Sequence, residues 1–116
     1  MSVFKQQAEF MSACGQTVEG LNIDQAQLYA KLVVEEYGEL ITAGNVENEL
    51  KELMDLMVVI IGYGLSHGWD LEGAWNEVWQ SNMSKIDPET GTVLKREDGK
   101  VQKGIHYKPA DVSKFV

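Results

Sequence analysis

Two long helical patterns, separated only by a Gly44-Asn45 break, constrain the fold of this chain more than any other feature. In residues 22–43, apolar side chains recur every three or four positions, as in an amphipathic helix. Residues 46–65 contain the run LMVVIIGYGL, which is apolar on all sides and is therefore expected to be buried at the centre of the fold. A buried strand would also suit residues 58–61, but the pattern extends well beyond strand length, which favours a helix. Helices joined by so short a turn run antiparallel.

Shorter elements are predicted on both sides of this helical hairpin. Ser2 is expected to cap a helix over residues 2–14, and Asp70 one over residues 70–83. Beyond residue 84, turn-forming residues cluster at 87–91, and Asp98-Gly99 between TVLKRE and KVQKGI indicates a β-hairpin. We therefore predict an all-α fold with a short C-terminal β-hairpin and extended tail. The core (residues 1–84) and the tail (residues 85–116) are expected to form one domain.

The charge of the chain is divided between these two regions. The formal net charge is −8, but residues 1–84 hold 13 acidic and 3 basic side chains, whereas residues 85–116 hold 5 acidic and 7 basic ones. A protein that coats nucleic acid needs a basic stripe to displace counterions, so this balance argues against a nucleic-acid polymer as partner. The acidic region suits divalent cations or a solvated surface, and the basic tail suits an anionic group.

Several protein classes are excluded by the composition. Cys14 is the only cysteine, so an internal disulfide framework is impossible. The first ten residues, MSVFKQQAEF, lack the apolar run of a signal peptide, and the longest apolar stretch, residues 56–61, is far too short to cross a bilayer. We expect a cytoplasmic globular protein with no membrane partner, located in the host cytoplasm if the chain is encoded by a phage.

Acidic residues occur in matched pairs on the two long helices. The segment EEYGE lies before the Gly44-Asn45 break and ELMD after it. The pairs Glu36/Glu39 and Glu52/Asp55 are each spaced i, i+3, so each pair projects from one face of its helix. At ~1.5 Å per residue, both pairs lie roughly 8–10 Å from the turn and should converge. Convergent carboxylates repel one another unless a cation lies among them, and all-oxygen ligands suit Mg²⁺, or Mn²⁺ in its place.

A simpler interpretation applies to most glutamates of such a helix. Glutamate is a good helix former, and most glutamate runs are solvated surfaces, which is how we interpret Glu47 and Glu49. The metal-site hypothesis is favoured for the paired set because its spacing matches on both helices. In addition, Asp55 opens an apolar run in which an unpaired buried charge would be costly.

The acidic motif resembles that of a known enzyme family. EEYGE, twelve intervening residues and ELMD match the EExxE(12)ExxD pattern of the all-α nucleoside triphosphate pyrophosphohydrolases, which include MazG-like proteins and phosphoribosyl-ATP pyrophosphohydrolases. The later segment SNMSKIDPETGTVLKREDGKVQKGIHYKPADV is similar to the C-terminal part of small single-domain MazG-like proteins from bacteria and phages. The resemblance implies a helical hairpin that dimerises into a four-helix bundle, often paired again into a homotetramer.

The resemblance also implies a reaction and a set of site residues. The reaction is Mg²⁺-dependent cleavage of the α–β phosphoanhydride of a (deoxy)nucleoside triphosphate, which yields monophosphate and pyrophosphate. A purine deoxynucleotide such as dGTP is the favoured substrate on the resemblance to phage-type members. By the same resemblance Glu36, Glu39, Glu52 and Asp55 are the metal ligands, and Glu35, with Glu36, belongs to the catalytic set. Glu35 would orient the attacking water or assist a further metal ion.

Basic and polar residues near the C-terminus are the expected substrate contacts. Asn82 and Lys85, in SNMSK, match residues that contact the nucleotide sugar or phosphates in the family, although Lys85 could equally complement the dipole of the preceding helix. Lys103 and Tyr107, in KGIHY, are weaker candidates for phosphate contact and for packing on the base or sugar.

Two alternatives to this function stay open. The nearest is a phosphoribosyl-ATP pyrophosphohydrolase of histidine biosynthesis, which the MazG-like tail makes less favoured. The other is a non-catalytic acidic helical module that binds a basic partner, for which acidic residues should be spread around the helices rather than paired. The sequence contains no GxxxxGK[ST] phosphate-binding loop.

Overall fold

The computed structural model describes all 116 residues and contains four α-helices and no strand. The helices are α1 (Val3–Ala13), α2 (Ile23–Ile41), α3 (Val46–Ser66) and α4 (Leu71–Met83), and a single turn of 3₁₀ helix follows at Ser113–Phe115. The chain forms two compact units, Met1–Leu71 with Val116, and Glu72–Phe115. The prediction of an all-α fold is confirmed. None of the helices combines the length and the apolar character needed to span a membrane.

Side-chain caps explain where three of the helices begin. The Oγ of Ser2 accepts a hydrogen bond from the Lys5 amide at the start of α1. The Oδ1 atoms of Asn22 and Asn45 do the same one turn into α2 and α3, at 3.1 and 2.8 Å. Each cap satisfies one of the amides that a helix N-terminus leaves without an internal partner. These short polar side chains therefore set the helix starts close to the predicted positions.

The core of the first unit lies where α3 packs against α2 and α1. Its buried apolar side chains come from α1, α2 and α3: Met11, Tyr29, Val59, Ile61 and Leu65. A Cβ at Gly62 would overlap the Tyr29 ring, so only glycine permits this close approach of α2 and α3. The ring is fixed in turn because its hydroxyl donates a 2.6 Å hydrogen bond to Oε1 of Gln16.

The expectation that α3 is buried on all sides is wrong for this chain taken alone. Val59, Ile61 and Leu65 are buried, but Met57 and Ile60 of the same run are 42% and 50% exposed. The helices α1 and α2 pack against α3 and cover only part of its circumference. The remaining apolar surface of α3 is therefore open in the monomer.

The predicted β-hairpin of the tail is also corrected by the structure. Residues 94–102 form a turn with one isolated antiparallel bridge, between Lys95 and Val101, and no strand. Arg96 and Asp98 pair at 2.6 Å inside the turn, and Gly99 adopts a positive φ of 86°. Leu94 and Val101 remain exposed, so the segment buries too little apolar surface to extend the ladder. The predicted turn at 87–91 is present, where Asp87 Oδ1 accepts a 2.8 Å hydrogen bond from the Glu89 amide.

Candidate metal centre

Three carboxylates converge between the antiparallel helices α2 and α3. Glu36 and Glu39 project from α2 and Glu52 from α3, and one carboxylate oxygen of each lies within 4.8 Å of the others. The four residues 42–45 join the helices, and Thr42 ends α2 by donating its hydroxyl to the Gly38 carbonyl at 2.8 Å. The i, i+3 spacing on each helix and the short turn thus place the side chains at one level, as the sequence predicts.

Burial and neighbouring carboxyl groups raise the pKa of two of the three convergent glutamates. Burial, followed by hydrogen bonding to the carboxyl groups of Glu52 and Glu39, raises the pKa of Glu36 to about 7. The pKa of Glu52 is raised as well, first by its hydrogen bond with Glu39 and then by burial. Raised pKa values are expected when carboxylates share one site, because each disfavours the charged form of its neighbours.

Asp55 and Glu35 differ from these three residues. The carboxylate of Asp55 lies close enough to Glu36 to contribute to its raised pKa, but its Oδ2 atom is paired with Nζ of Lys51 at 2.5 Å. Glu35 is exposed on α2 and lies outside the convergent group. The structure thus brings together three of the four predicted metal ligands, and it holds the fourth beside them in an ion pair.

The convergent group has the chemistry of a site for a hard divalent cation. The Oε2 atoms of Glu36 and Glu52 are buried and have no hydrogen-bond partner. A buried polar oxygen without a partner is costly, so both atoms are suited to contact a cation. Three carboxylate oxygens within 4.8 Å of one another are near enough to be shared by one cation. Carboxylate oxygens are the ligands that hard divalent cations prefer, so the residues present fit an ion of this class.

The four predicted substrate-binding residues form a second cluster, within the unit Glu72–Phe115. Nζ of Lys85, just beyond α4, donates a 3.1 Å hydrogen bond to Oδ1 of Asn82. The ammonium groups of Lys85 and Lys103 lie 6.0 and 5.1 Å from the centre of the Tyr107 ring. Two cations and an amide thus meet at one aromatic side chain, a combination suited to an anion attached to an organic ring.

A cavity of about 230 Å³ adjoins this second cluster. Lys85 lines it, together with Asp87, Thr90, Thr92 and the apolar residues Val93 and Ile105. The lining combines hydrogen-bonding groups with apolar surface, as small-molecule sites do.

Two features of the first unit were not predicted from the sequence. Lys51 pairs with Asp55, and its i, i+4 spacing to an acidic residue is a signal that could have revealed it. Gln25 is buried, accepts a hydrogen bond from the Thr17 amide, and donates to the Thr17 carbonyl and to Oγ of Ser66. No pattern in the sequence indicates the second network, because its members lie far apart along the chain.

The carboxylate motif lies within a segment of the chain that matches a known protein family. The family model for phosphoribosyl-ATP pyrophosphohydrolase matches residues 8–82, which include the second half of α1, all of α2 and α3, nearly all of α4, and both acidic pairs. The chain belongs to this family. The predicted resemblance is confirmed at this level, MazG-like proteins being a related branch. No curated protein matches the chain.

Family membership makes the chain an enzyme of the pyrophosphohydrolase class, which hydrolyses phosphoanhydride bonds of nucleotides. The convergent glutamates agree with the metal dependence that is general in this family. A non-catalytic acidic module is therefore no longer supported.

Proposed function

We propose that the chain is a Mg²⁺-dependent nucleoside triphosphate pyrophosphohydrolase. It would add water across the α–β phosphoanhydride of a (deoxy)nucleoside triphosphate and release the monophosphate and pyrophosphate, with a purine deoxynucleotide such as dGTP as the favoured substrate. The observation that carries this proposal is the convergence of Glu36, Glu39 and Glu52 with two buried carboxylate oxygens that lack partners.

The proposed roles combine the resemblance of the acidic motif to its family with the positions of the side chains. Glu36, Glu39, Glu52 and Asp55 would hold the ion, Mn²⁺ being a substitute of similar ligand preference. Bound Mg²⁺ supplies charge neutralisation of the triphosphate and a water of lowered pKa. Glu35, exposed on the same helix one residue before Glu36, is free to orient that water and accept its proton.

The cluster of Asn82, Lys85, Lys103 and Tyr107 is proposed to bind the substrate. Its two ammonium groups would contact phosphate oxygens, and the Tyr107 ring would pack against the sugar or base. The amide of Asn82 holds Lys85 in position through the 3.1 Å hydrogen bond. Because these groups would contact the substrate before and during the reaction, their contribution should be to binding.

We also propose that the enzyme is a homo-oligomer, a dimer or a pair of dimers. Ile41, Val46, Leu50 and Leu53 line one depression at the turn end of the α2–α3 hairpin, and all four are exposed. Contiguous apolar surface of this kind is uncommon on a monomer and is typical of an interface. A second copy, placing its own hairpin on this surface, would complete a four-helix bundle. Light scattering coupled to size exclusion should give at least twice the monomer mass of 13.0 kDa.

A second substrate deserves equal weight. The matching family model is that of phosphoribosyl-ATP pyrophosphohydrolase, which favours phosphoribosyl-ATP as the substrate. The two candidates share the phosphoanhydride chemistry and the carboxylate site, so the metal centre does not distinguish them. The residues of the second cluster and its cavity are the features that would distinguish the two substrates.

A side-by-side assay separates the candidates. Pyrophosphate and nucleotide products should be measured with dGTP, dATP, dCTP, dTTP, dUTP and phosphoribosyl-ATP, each with Mg²⁺ and with a chelator. Turnover of a deoxynucleoside triphosphate that requires Mg²⁺ supports our proposal, and the highest rate with dGTP or dATP supports the purine preference. Turnover of phosphoribosyl-ATP alone would identify the second candidate, and turnover of none, without Mg²⁺ binding, would refute the proposed site.

A further inference from the structure

Lys51, on α3, is the basic residue nearest in sequence to the metal-site carboxylates. Its Nζ atom lies 2.5 Å from Oδ2 of Asp55, and neither Glu36, Glu39 nor Glu52 has such a partner. A carboxylate that is to bind a metal is thus already neutralised by an ammonium group of the same helix. Lys51 must therefore leave Asp55 if Asp55 is to bind the ion.

The ion pair is placed where it can be broken easily. The Lys51 side chain is 69% exposed and that of Asp55 is 32% exposed. Exposed pairs of this kind stabilise a protein little, and the order in which lysine precedes the acid by four residues is the less favourable one on a helix. A divalent cation that gains a carboxylate ligand can therefore displace the ammonium group.

A second acidic partner is available to Lys51 on the same helix. Glu47 is exposed and lies four residues before Lys51, in the order glutamate then lysine that is favoured on a helix. Rotation of the long lysine side chain by one helical turn would exchange Asp55 for Glu47. Lys51 thus has an acidic partner in both states of the site: Asp55 when the ion is absent and Glu47 when the ion is bound.

We infer that Lys51 is a displaceable counter-ion of the metal site. It pairs with Asp55 while the ion is absent and is released when Asp55 joins Glu36, Glu39 and Glu52 as a ligand. It therefore lowers the repulsion among the carboxylates of the empty protein and weakens the affinity for the cation. This inference rests on the proposed metal site and adds a residue that regulates its occupancy.

Calorimetric titration of the full-length protein with MgCl₂ or MnCl₂, without nucleotide, tests the inference. Lys51→Gln should bind the ion about two- to fivefold more tightly, because Asp55 no longer has to leave an exposed ion pair before it becomes a ligand. Lys5→Gln, which removes another exposed lysine charge, on α1, is the control and should change the affinity less than twofold, because charges far from the site are screened by salt. Equal or weaker binding by Lys51→Gln would overturn the inference.

A double-mutant cycle shows whether the effect passes through Asp55. In an Asp55→Asn background, Lys51→Gln should have almost no effect on affinity; an unchanged tightening would assign the effect to bulk charge and refute the counter-ion role. Thermal unfolding gives an independent readout, since Lys51→Gln should lower the melting temperature without metal and lose this defect at saturating Mg²⁺. If the wild-type protein binds no divalent cation, the proposed metal site itself fails, which differs from a site that binds but ignores Lys51.

Discussion

The α2–α3 hairpin and the tail after α4 are organised by different interactions. The hairpin consists of two long helices that meet through buried apolar side chains and hold acidic groups between them. The tail, residues 85–116, is held mainly by turns in which side chains bond to nearby backbone, as Asp87 does with the Glu89 amide, and it carries most of the basic groups. A site that must keep three carboxylates together against repulsion is built on rigid helices, whereas the proposed phosphate contacts lie partly on loops.

The largest loss of activity should come from substitution of a metal-site glutamate in the α2–α3 hairpin. Glu39→Gln keeps the shape of the side chain and removes a ligand charge, so turnover at limiting Mg²⁺ should fall about 100-fold or more. Mutation of a residue that only hydrogen-bonds to a metal ligand already lowers metal affinity or activity about 10–100-fold. Pyrophosphate release measures the loss. Glu49→Gln, an exposed glutamate of α3, is the control and should retain activity. Near-normal turnover of Glu39→Gln would contradict the ligand assignment.

The packing of the hairpin is tested by two glycine substitutions. Gly62→Ala should destabilise the protein by about 1–3 kcal/mol, because the new Cβ overlaps the Tyr29 ring. Gly38→Ala, in α2, places its Cβ in open space and should stabilise the helix by about 0.5–1 kcal/mol. Urea denaturation gives both values. Equal effects of the two substitutions would mean that the helices do not approach closely at Gly62.

Substitution of a basic residue in the tail should weaken substrate binding rather than turnover. Lys85→Ala removes a proposed phosphate contact that acts throughout the reaction, so KM should rise about tenfold while kcat changes little. Steady-state kinetics with the best nucleotide substrate measures both constants. Lys100→Ala removes an exposed lysine of the same tail, and its KM should stay close to the wild-type value. A fall in kcat at unchanged KM would remove Lys85 from the binding site.

The stability that the two regions contribute should also change over different pH ranges and with opposite sign. The pKa of Glu36 is raised to about 7, so the metal-free folded state binds more protons than the unfolded chain, and stability should increase as the pH falls from 8 towards 5. In the tail, Arg96 lowers the pKa of Asp98, so any contribution of that carboxylate persists through this range and is lost only in stronger acid. Thermal unfolding in EDTA at several pH values checks the trend, which saturating Mg²⁺ should abolish. A melting temperature that decreases on acidification would contradict it.

The sequence was sufficient to predict the hairpin because its determinants are periodic and local. Asn22 and Asn45 mark helix starts, and the i, i+3 pairs fix which side chains share a face. The exposure of Ile60 could not be predicted, since it depends on how many neighbours surround α3. The tail was mispredicted for a related reason: Asp98-Gly99 correctly indicated the turn, but strand formation requires a sheet or a buried face that Leu94 and Val101 do not obtain.

The site was predicted only in part for similar reasons. Glu36, Glu39 and Glu52 converge as their spacing requires, but which partner Asp55 takes depends on the competition between a nearby lysine and the other carboxylates. The meeting of Lys85 with Lys103 and Tyr107 involves residues about twenty positions apart. It depends on the path of an irregular segment, which periodicity does not describe.

The amide of Gln25 has a consequence for the geometry of the carboxylates. It joins the first turn of α2 to Ser66, the last residue of α3, at the end of the hairpin opposite the Gly44-Asn45 turn. The two helices therefore form a frame closed at both ends, by the chain at one and by a hydrogen bond at the other. Together with the packing of Tyr29 against Gly62, these two closures oppose the repulsion of the carboxylates and set the width of the gap between the helices. A glutamate at position 25 would lose the two donor contacts and leave the end opposite the turn without its hydrogen bond to Ser66.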